Sequence, residues 1–271
     1  MNCARDMGSR GMQTRAVSVL FLLCSSLAAL CQPTPQQFGS EGNIYSTSRP
    51  PLSADQVARK LQEKNAQRAA ALDQFTSTRI YHVQYRGFPS DRDAQMVVEV
   101  IYRAPNSKQF RVLSQSGSRF VIDHVLKKLL DSEQEAANEE NRAHTALTTE
   151  NYDFTLAGYE NTPNGPEYIL NLLPKTKNKF LYRGKIWVDA TDFAVVKIDG
   201  EPAKNPSLWI KNTAVKHTYI KVDDFWLPAE NHTESTIRLG GRAILSIEYR
   251  NYKITKAAPL YGLGKSREDL K

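Results

Sequence analysis

From residue 152 to residue 254 the chain alternates apolar and polar side chains in segment after segment, with a turn signal after each. A side-chain period of two is the mark of a half-buried strand. The pattern predicts strands over 152–159, 168–173, 180–188, 193–198, 209–222, 226–239 and 242–254. Pro163-Asn164-Gly165-Pro166, the aspartates between 189 and 192, Asp199-Gly200, Asp223-Asp224 and Gly240-Gly241 separate them. Connections this short join antiparallel neighbours, because a parallel crossover needs a dozen or more residues.

Upstream, 80–85, 96–103 and 110–115 carry the same period. In the second of these Met96, Val98, Val100 and Tyr102 share one face. Two helices accompany the strands. Ser53 and Gln56 have the spacing of a capping box, and Val57, Leu61, Leu72 and Phe75 fall on one helical face, interrupted by Asn65 and Arg68. Such an interruption reads as side chains snorkelling at the edge of a core. Val121/Ile122, Val125/Leu126 and Leu129/Leu130 step by four along a second helix, and 136–149 reads as its tail and an exposed connection. Roughly ten strands approach what an open twisted sheet holds without curling. The expected fold class is therefore α+β: a curved antiparallel sheet of about ten to eleven strands, closing into a half-open β-barrel with two helices covering its mouth.

The first thirty residues read as an address. Arg5, Arg10 and Arg15 precede the apolar run 16–30, which ends in small residues, as in a secretory signal peptide. About fifteen apolar residues fall short of the roughly 20 that span a bilayer. The alternative is an anchor through Cys31, although Leu30 before it and Ala28 in the leucine place make a poor lipidation site. The expected organisation is a signal peptide over 1–31, a polar linker rich in Pro, Ser and Gly over 32–52, one domain over 53–256 and a tail over 257–271. Cys3, Cys24 and Cys31 are the only cysteines, so processing leaves a mature chain without disulfides or cysteine chemistry. The net charge of +7 falls to +5 once Arg5, Arg10, Arg15 and Asp6 are removed. So mild a charge, with an export signal, makes the lysines at 175–179 a solvated hairpin tip and speaks against nucleic acid as a partner.

No enzyme signature emerges. His82, His124, His144, His217 and His232 show no zinc spacing, and a site built from His217 and His232 on neighbouring strands is the one pairing open to them. Asp189, Asp192, Asp199, Asp223 and Asp224 all fall at turns, where aspartate bonds the backbone. There is no nucleophile elbow and no phosphate loop, and no cofactor or metal is expected. Asn231-His232-Thr233 matches a glycosylation acceptor.

The pair formed by 184–189 and 193–198, the run 200–207, Trp209-Ile210-Lys211 and 225–230 resemble exported bacterial proteins of the outer-membrane lipoprotein-sorting-protein-like group, which is placed with the LolA/LolB carriers and the sensor RseB. The resemblance covers 54–255 and is clearest over 182–253. It implies a half-open barrel whose apolar concavity holds acyl chains. Phe154, Leu170, Leu172, Phe180, Trp187, Trp209 and Trp226 are available for such a wall, and Arg68, by location, for the arginine that gates the carriers' cavity. The function expected is that of a periplasmic, non-enzymatic carrier or binder of a lipid or acylated protein. The alternative is an envelope sensor or protein-interaction module of the RseB type without lipid transport.

Overall fold

The capping box forms. At the start of α1 (Ala54–Ala71) the Gln56 amide donates to Ser53 Oγ at 3.3 Å, and the Ser53 amide donates to Gln56 Oε1 at 2.8 Å. The computed structural model describes residues 51–136, 143–205, 208, 210–238 and 240–258. The expected signal peptide, most of the linker and the tail beyond 258 lie outside the described residues.

The helix ends earlier than its apolar spacing predicts. Leu72 is already extended, and Leu72 and Phe75 belong to β1 (Leu72–Gly87) rather than to a helical face. The reason is tertiary: β1 is laddered on both sides, to β10 from Leu72 and to β2 from Gln74. An i, i+3 apolar pair suits either structure, and two hydrogen-bonded neighbours decide it for the strand.

β2 (Arg92–Arg103) and β3 (Ser107–Gly117) follow. The next helical segment is α2 (Arg119–Val121), a π-helical turn (Ile122–Leu126) and α3 (Lys127–Ala136). The π turn explains how a strict step of four stays on one face: a wider turn cancels the drift that such a step accumulates in an α-helix. The remaining strands are β4 (Tyr152–Thr162), β5 (Gly165–Pro174), β6 (Tyr182–Asp189), β7 (Val195–Pro202), β8 (Ile210–Val222), β9 (Phe225–Ile237) and β10 (Gly241–Lys256). All ten strands form one antiparallel sheet in the order β3-β2-β1-β10-β9-β8-β7-β6-β5-β4. The sheet does not close, and β3 and β4 are its edges.

One row of paired residues crosses all ten strands: Gly117, Ala94, Val83, Leu245, Thr233, Val215, Gly200, Gly184, Leu172 and Phe154. Gly200 was expected in a turn; instead it lies inside β7, directly opposite Gly184 of β6. A Cβ on Gly184 would stand 2.3 Å from the Asp199 carbonyl oxygen and 2.5 Å from Gly200 Cα, so the two backbones meet where no side chain fits.

Both helical segments pack on the face that carries this row. Val57, Ala58 and Leu61 of α1 are buried against Tyr152, Phe154, Tyr168, Leu170, Leu172 and Ile186. Val121, Ile122, Val125, Leu126, Leu129 and Leu130 are buried against Tyr81, Val83, Met96, Val98, Leu245 and Ile247. A smaller cluster of Phe75, Phe225 and Leu227 lies beyond them. The alternation expected for β2 holds, with Met96, Val98 and Val100 fully buried.

Candidate functional site

Two apolar halves of the inner face, each under a helix, are divided by strands β8 and β9, which carry a buried polar group between them. Thr213, Asn231, Thr233 and Ser235 are buried there. Thr213 Oγ1 and Ser235 Oγ share a hydrogen bond of 2.7 Å, Thr233 donates to Asn231 Oδ1 at 3.0 Å, and the Asn231 amide lies 2.7 Å from His217 Nε2. The Tyr182 hydroxyl reaches the same imidazole nitrogen at 3.4 Å. Burial pushes His217 down to about 4, so the ring is neutral at physiological pH.

His217 and His232 do not form a joint site. The register pairs His217 with Asn231 and Lys216 with His232, so the two imidazoles project from opposite faces of the sheet. His232 is exposed beside Glu234. The glycosylation match also fails on geometry, since Asn231 is buried and engaged with His217. Asp189 keeps the turn role expected of it: its Oδ1 accepts the Thr191 and Asp192 amides at 2.9 and 2.6 Å.

Each helix is fastened at its far end by a polar contact. On α1, the Arg68 guanidinium donates to the carbonyl oxygens of Asp192 and Phe193, both at 2.9 Å, and to Asn65 Oδ1 at 2.8 Å. Asn65 and Arg68, which interrupt the apolar stripe, are thus partners, and together they bind the helix to the β6–β7 turn. Burial lowers the Arg68 pKa, opposed by Asp192 and Asp189. On α3, Glu133 accepts from Arg79 Nη1 of β1 at 2.5 Å, from Lys108 Nζ of β3 at 2.7 Å and from the Tyr81 hydroxyl at 3.0 Å. Burial works against the Glu133 charge, yet Arg79 and Lys108 hold the carboxyl well below its ordinary range. Arg79 itself is 4% exposed and also stacks on the Tyr249 ring at 4.8 Å.

The expected wall residues fall into separate places. Phe154, Leu170 and Leu172 are brought together under α1. Phe180 sits in the β5–β6 connection, partly buried, with the Lys179 ammonium 4.6 Å from its ring. Trp187 alternates with the buried Ile186 and Val188 and so projects from the opposite face, where its indole donates to Glu160 and Lys197 lies over it. Trp226 likewise alternates with Phe225 and Leu227; its indole donates to Asp192 at 2.8 Å at the margin of a cleft of about 700 Å³ that also takes in Glu167, Asp189 and Lys221. Trp209 lies outside the described residues.

Arg79, Lys108 and Glu133 escape a reading of the sequence that starts the first strand at residue 80. Two signals point to Arg79 and Glu133, and none to Lys108. Phe75, Ser77, Arg79, Tyr81 and Val83 share one parity, which aims an arginine inward once the strand is extended. Glu133 continues the step of four through Val121, Val125 and Leu129.

No protein-family model matches the chain, and no curated protein does. Solved structures do match. A DUF1329 family protein from Desulfovibrio piger is 14% identical, with a TM-score of 0.38 over 79% of this chain and 95% of its own. A domain from Vibrio parahaemolyticus described as outer membrane lipoprotein-sorting is 12% identical, with a TM-score of 0.38 over 76% of this chain and 95% of its own. A LolA superfamily protein from Nitrosomonas europaea is 12% identical, with a TM-score of 0.33 over 76% and 96%. All of these likenesses are distant.

Proposed function

We propose that this chain is an exported, non-enzymatic binding protein of the periplasm that takes the acyl part of a lipid or lipidated protein onto the inner face of its sheet, with the two helical segments as lids over the mouth of a half-open barrel. The observation that carries this reading is how lightly α1 is held. Of its eighteen residues only Val57, Ala58 and Leu61 are buried, all in the first half, and Arg68 fastens the other end. Burial of Val57 and Leu61 is worth about 3–6 kcal/mol. An acyl chain gains about 0.8 kcal/mol per buried methylene, so about six methylenes on the same wall offset the loss of α1. Phe154, Leu170 and Leu172 are the wall that α1 would uncover.

The test is native purification of the exported chain followed by lipid mass spectrometry and titration with a fluorescent fatty acid. Co-purifying acyl lipid, and faster probe uptake by Arg68→Ala, support the reading. No lipid and no uptake by either protein would overturn it.

A second reading, a protein-interaction module, is favoured by the β3 edge. Val112 and Leu113 are 43% and 48% exposed on a strand paired on one side only, and Leu113 sits in a register shift. An unpaired edge with exposed apolar side chains suits addition of an extended segment of an envelope protein. Recovery of one envelope partner that is lost with Leu113→Lys and kept with Arg68→Ala would support it.

A further inference from the structure

Interior charge is rarely left unbalanced, because removing an ion from water is costly unless a counter-charge accompanies it. The cluster under α3 departs from that rule. Arg79 and Lys108 face one carboxylate, Glu133, the single carboxylate that acts on either cation among the described residues. Donors are also in excess. Ser77 precedes Arg79 on the inward parity of β1 and is 2% exposed, and its Oγ has no hydrogen-bond partner among the described residues; neither has Arg79 Nε. Both cations contact the same carboxylate, and burial, joined by the neighbouring Arg79, pulls Lys108 below its ordinary range against Glu133.

The arrangement has the chemistry of an anion site. Two cations, the Tyr81 hydroxyl and a spare guanidinium N–H come together from β1 and β3, the unpartnered Ser77 hydroxyl lies two residues along β1 on the same face, and the chain's own Glu133 occupies the site. Arginine beside lysine suits a carboxylate or a phosphate, whose several oxygens can take donors that one glutamate leaves unused. Glu133 arrives on the segment that also covers Met96 and Val98, so a movement of α3 would uncover the cations and an apolar surface together.

We infer that Arg79, Lys108, Ser77 and Tyr81 form the head-group site for an anionic amphiphile, carboxylate or phosphate, and that Glu133 fills it in the closed protein. The inference rests on the acyl-binding reading and adds to it the charge of the ligand. Entry of the head group exchanges one anion for another, so no bare cation is exposed during the change.

The test compares four probes on the full exported chain by calorimetric titration: oleate, oleyl phosphate, oleyl alcohol with the same tail and no charge, and inorganic phosphate with no tail. Oleate and oleyl phosphate are expected to bind about ten-fold more tightly than oleyl alcohol, the worth of one charge-assisted hydrogen bond. Glu133→Gln should widen that preference. Lys108→Gln, a partly exposed position on an edge strand that tolerates change if Glu133→Gln does not fold, should shrink it about five-fold and leave oleyl alcohol unchanged. Equal binding of oleate and oleyl alcohol overturns the head-group site and spares acyl binding, whereas inorganic phosphate bound as tightly as oleyl phosphate shows that the tail contributes nothing and overturns the amphiphile as the ligand. Failure of all three amphiphiles overturns acyl binding itself.

Discussion

Gly184 faces Gly200 across β6 and β7 at a separation that leaves no room for a β-carbon on either residue. Gly184 also holds φ near +150°, which side-chain-bearing residues rarely adopt. Replacement by alanine forces a backbone shift within the row that crosses every strand. Gly184→Ala is expected to lower stability by about 2–3 kcal/mol, read as a lower urea midpoint with an unchanged slope. A midpoint within error of the parent would refute the close approach.

The folded protein holds His217 near 4 against an ordinary value of 6.5. Between those values the unfolded chain takes up a proton that the folded ring refuses. The contribution is complete above pH 6.5 and is lost as pH falls toward 4. The loss is at most about 3 kcal/mol. Thermal melts from pH 7 to 4 should fall, and His217→Gln should flatten the curve. Equal slopes for both proteins would show that another group titrates.

Glu133 is depressed, so its contribution is full above its unfolded value, in the ordinary carboxylate range, and is lost progressively as pH falls through that value toward the much lower folded one. At neutral pH Glu133→Ala leaves the buried Arg79 and the partly exposed Lys108 without their shared counter-charge and should cost about 3–5 kcal/mol. Arg79→Met, Lys108→Met and Glu133→Met made together should recover most of that, since an apolar set replaces a buried ion cluster at little cost. A triple variant no more stable than the single one would mean that the cluster contributes net stability.

Ser53→Ala removes one half of the capping box and should destabilise α1 by about 1 kcal/mol. Amide exchange should quicken along α1 and stay unchanged in β1 and β10. Arg68→Ala should do the same from the other end of the helix. Uniform acceleration through the whole sheet would place α1 in the global folding unit and remove its claim to move alone.

The strands were legible because burial on one face imposes period two on every one of them; Met96, Val98 and Val100, or Leu245 and Ile247, state it directly. The capping box and the second apolar stripe were legible for the same kind of reason, since both are local. What escaped was set by pairing. Leu72 and Phe75 fit a helix by spacing, and only the ladders to β2 and β10 make them a strand. Trp187 and Trp226 look like cavity wall by size, yet one step of register turns them to the outer face. Arg79, Lys108 and Glu133 lie on three elements, and no window of sequence holds them together.

The strand order has a further consequence. β1 and β10 lie side by side although they stand at opposite ends of the folded chain, with Leu72 paired to Lys256. Read around from β4 to β10 and on through β1 to β3, neighbouring strands run up and down in sequence order, and the one long-range ladder pairs the first strand with the last. A circular permutant that joins the end of β10 to the start of α1 and opens between α3 and β4 would turn that ladder into a local one. It should fold to the same sheet, and faster than the natural order, because closing a shorter loop costs less entropy.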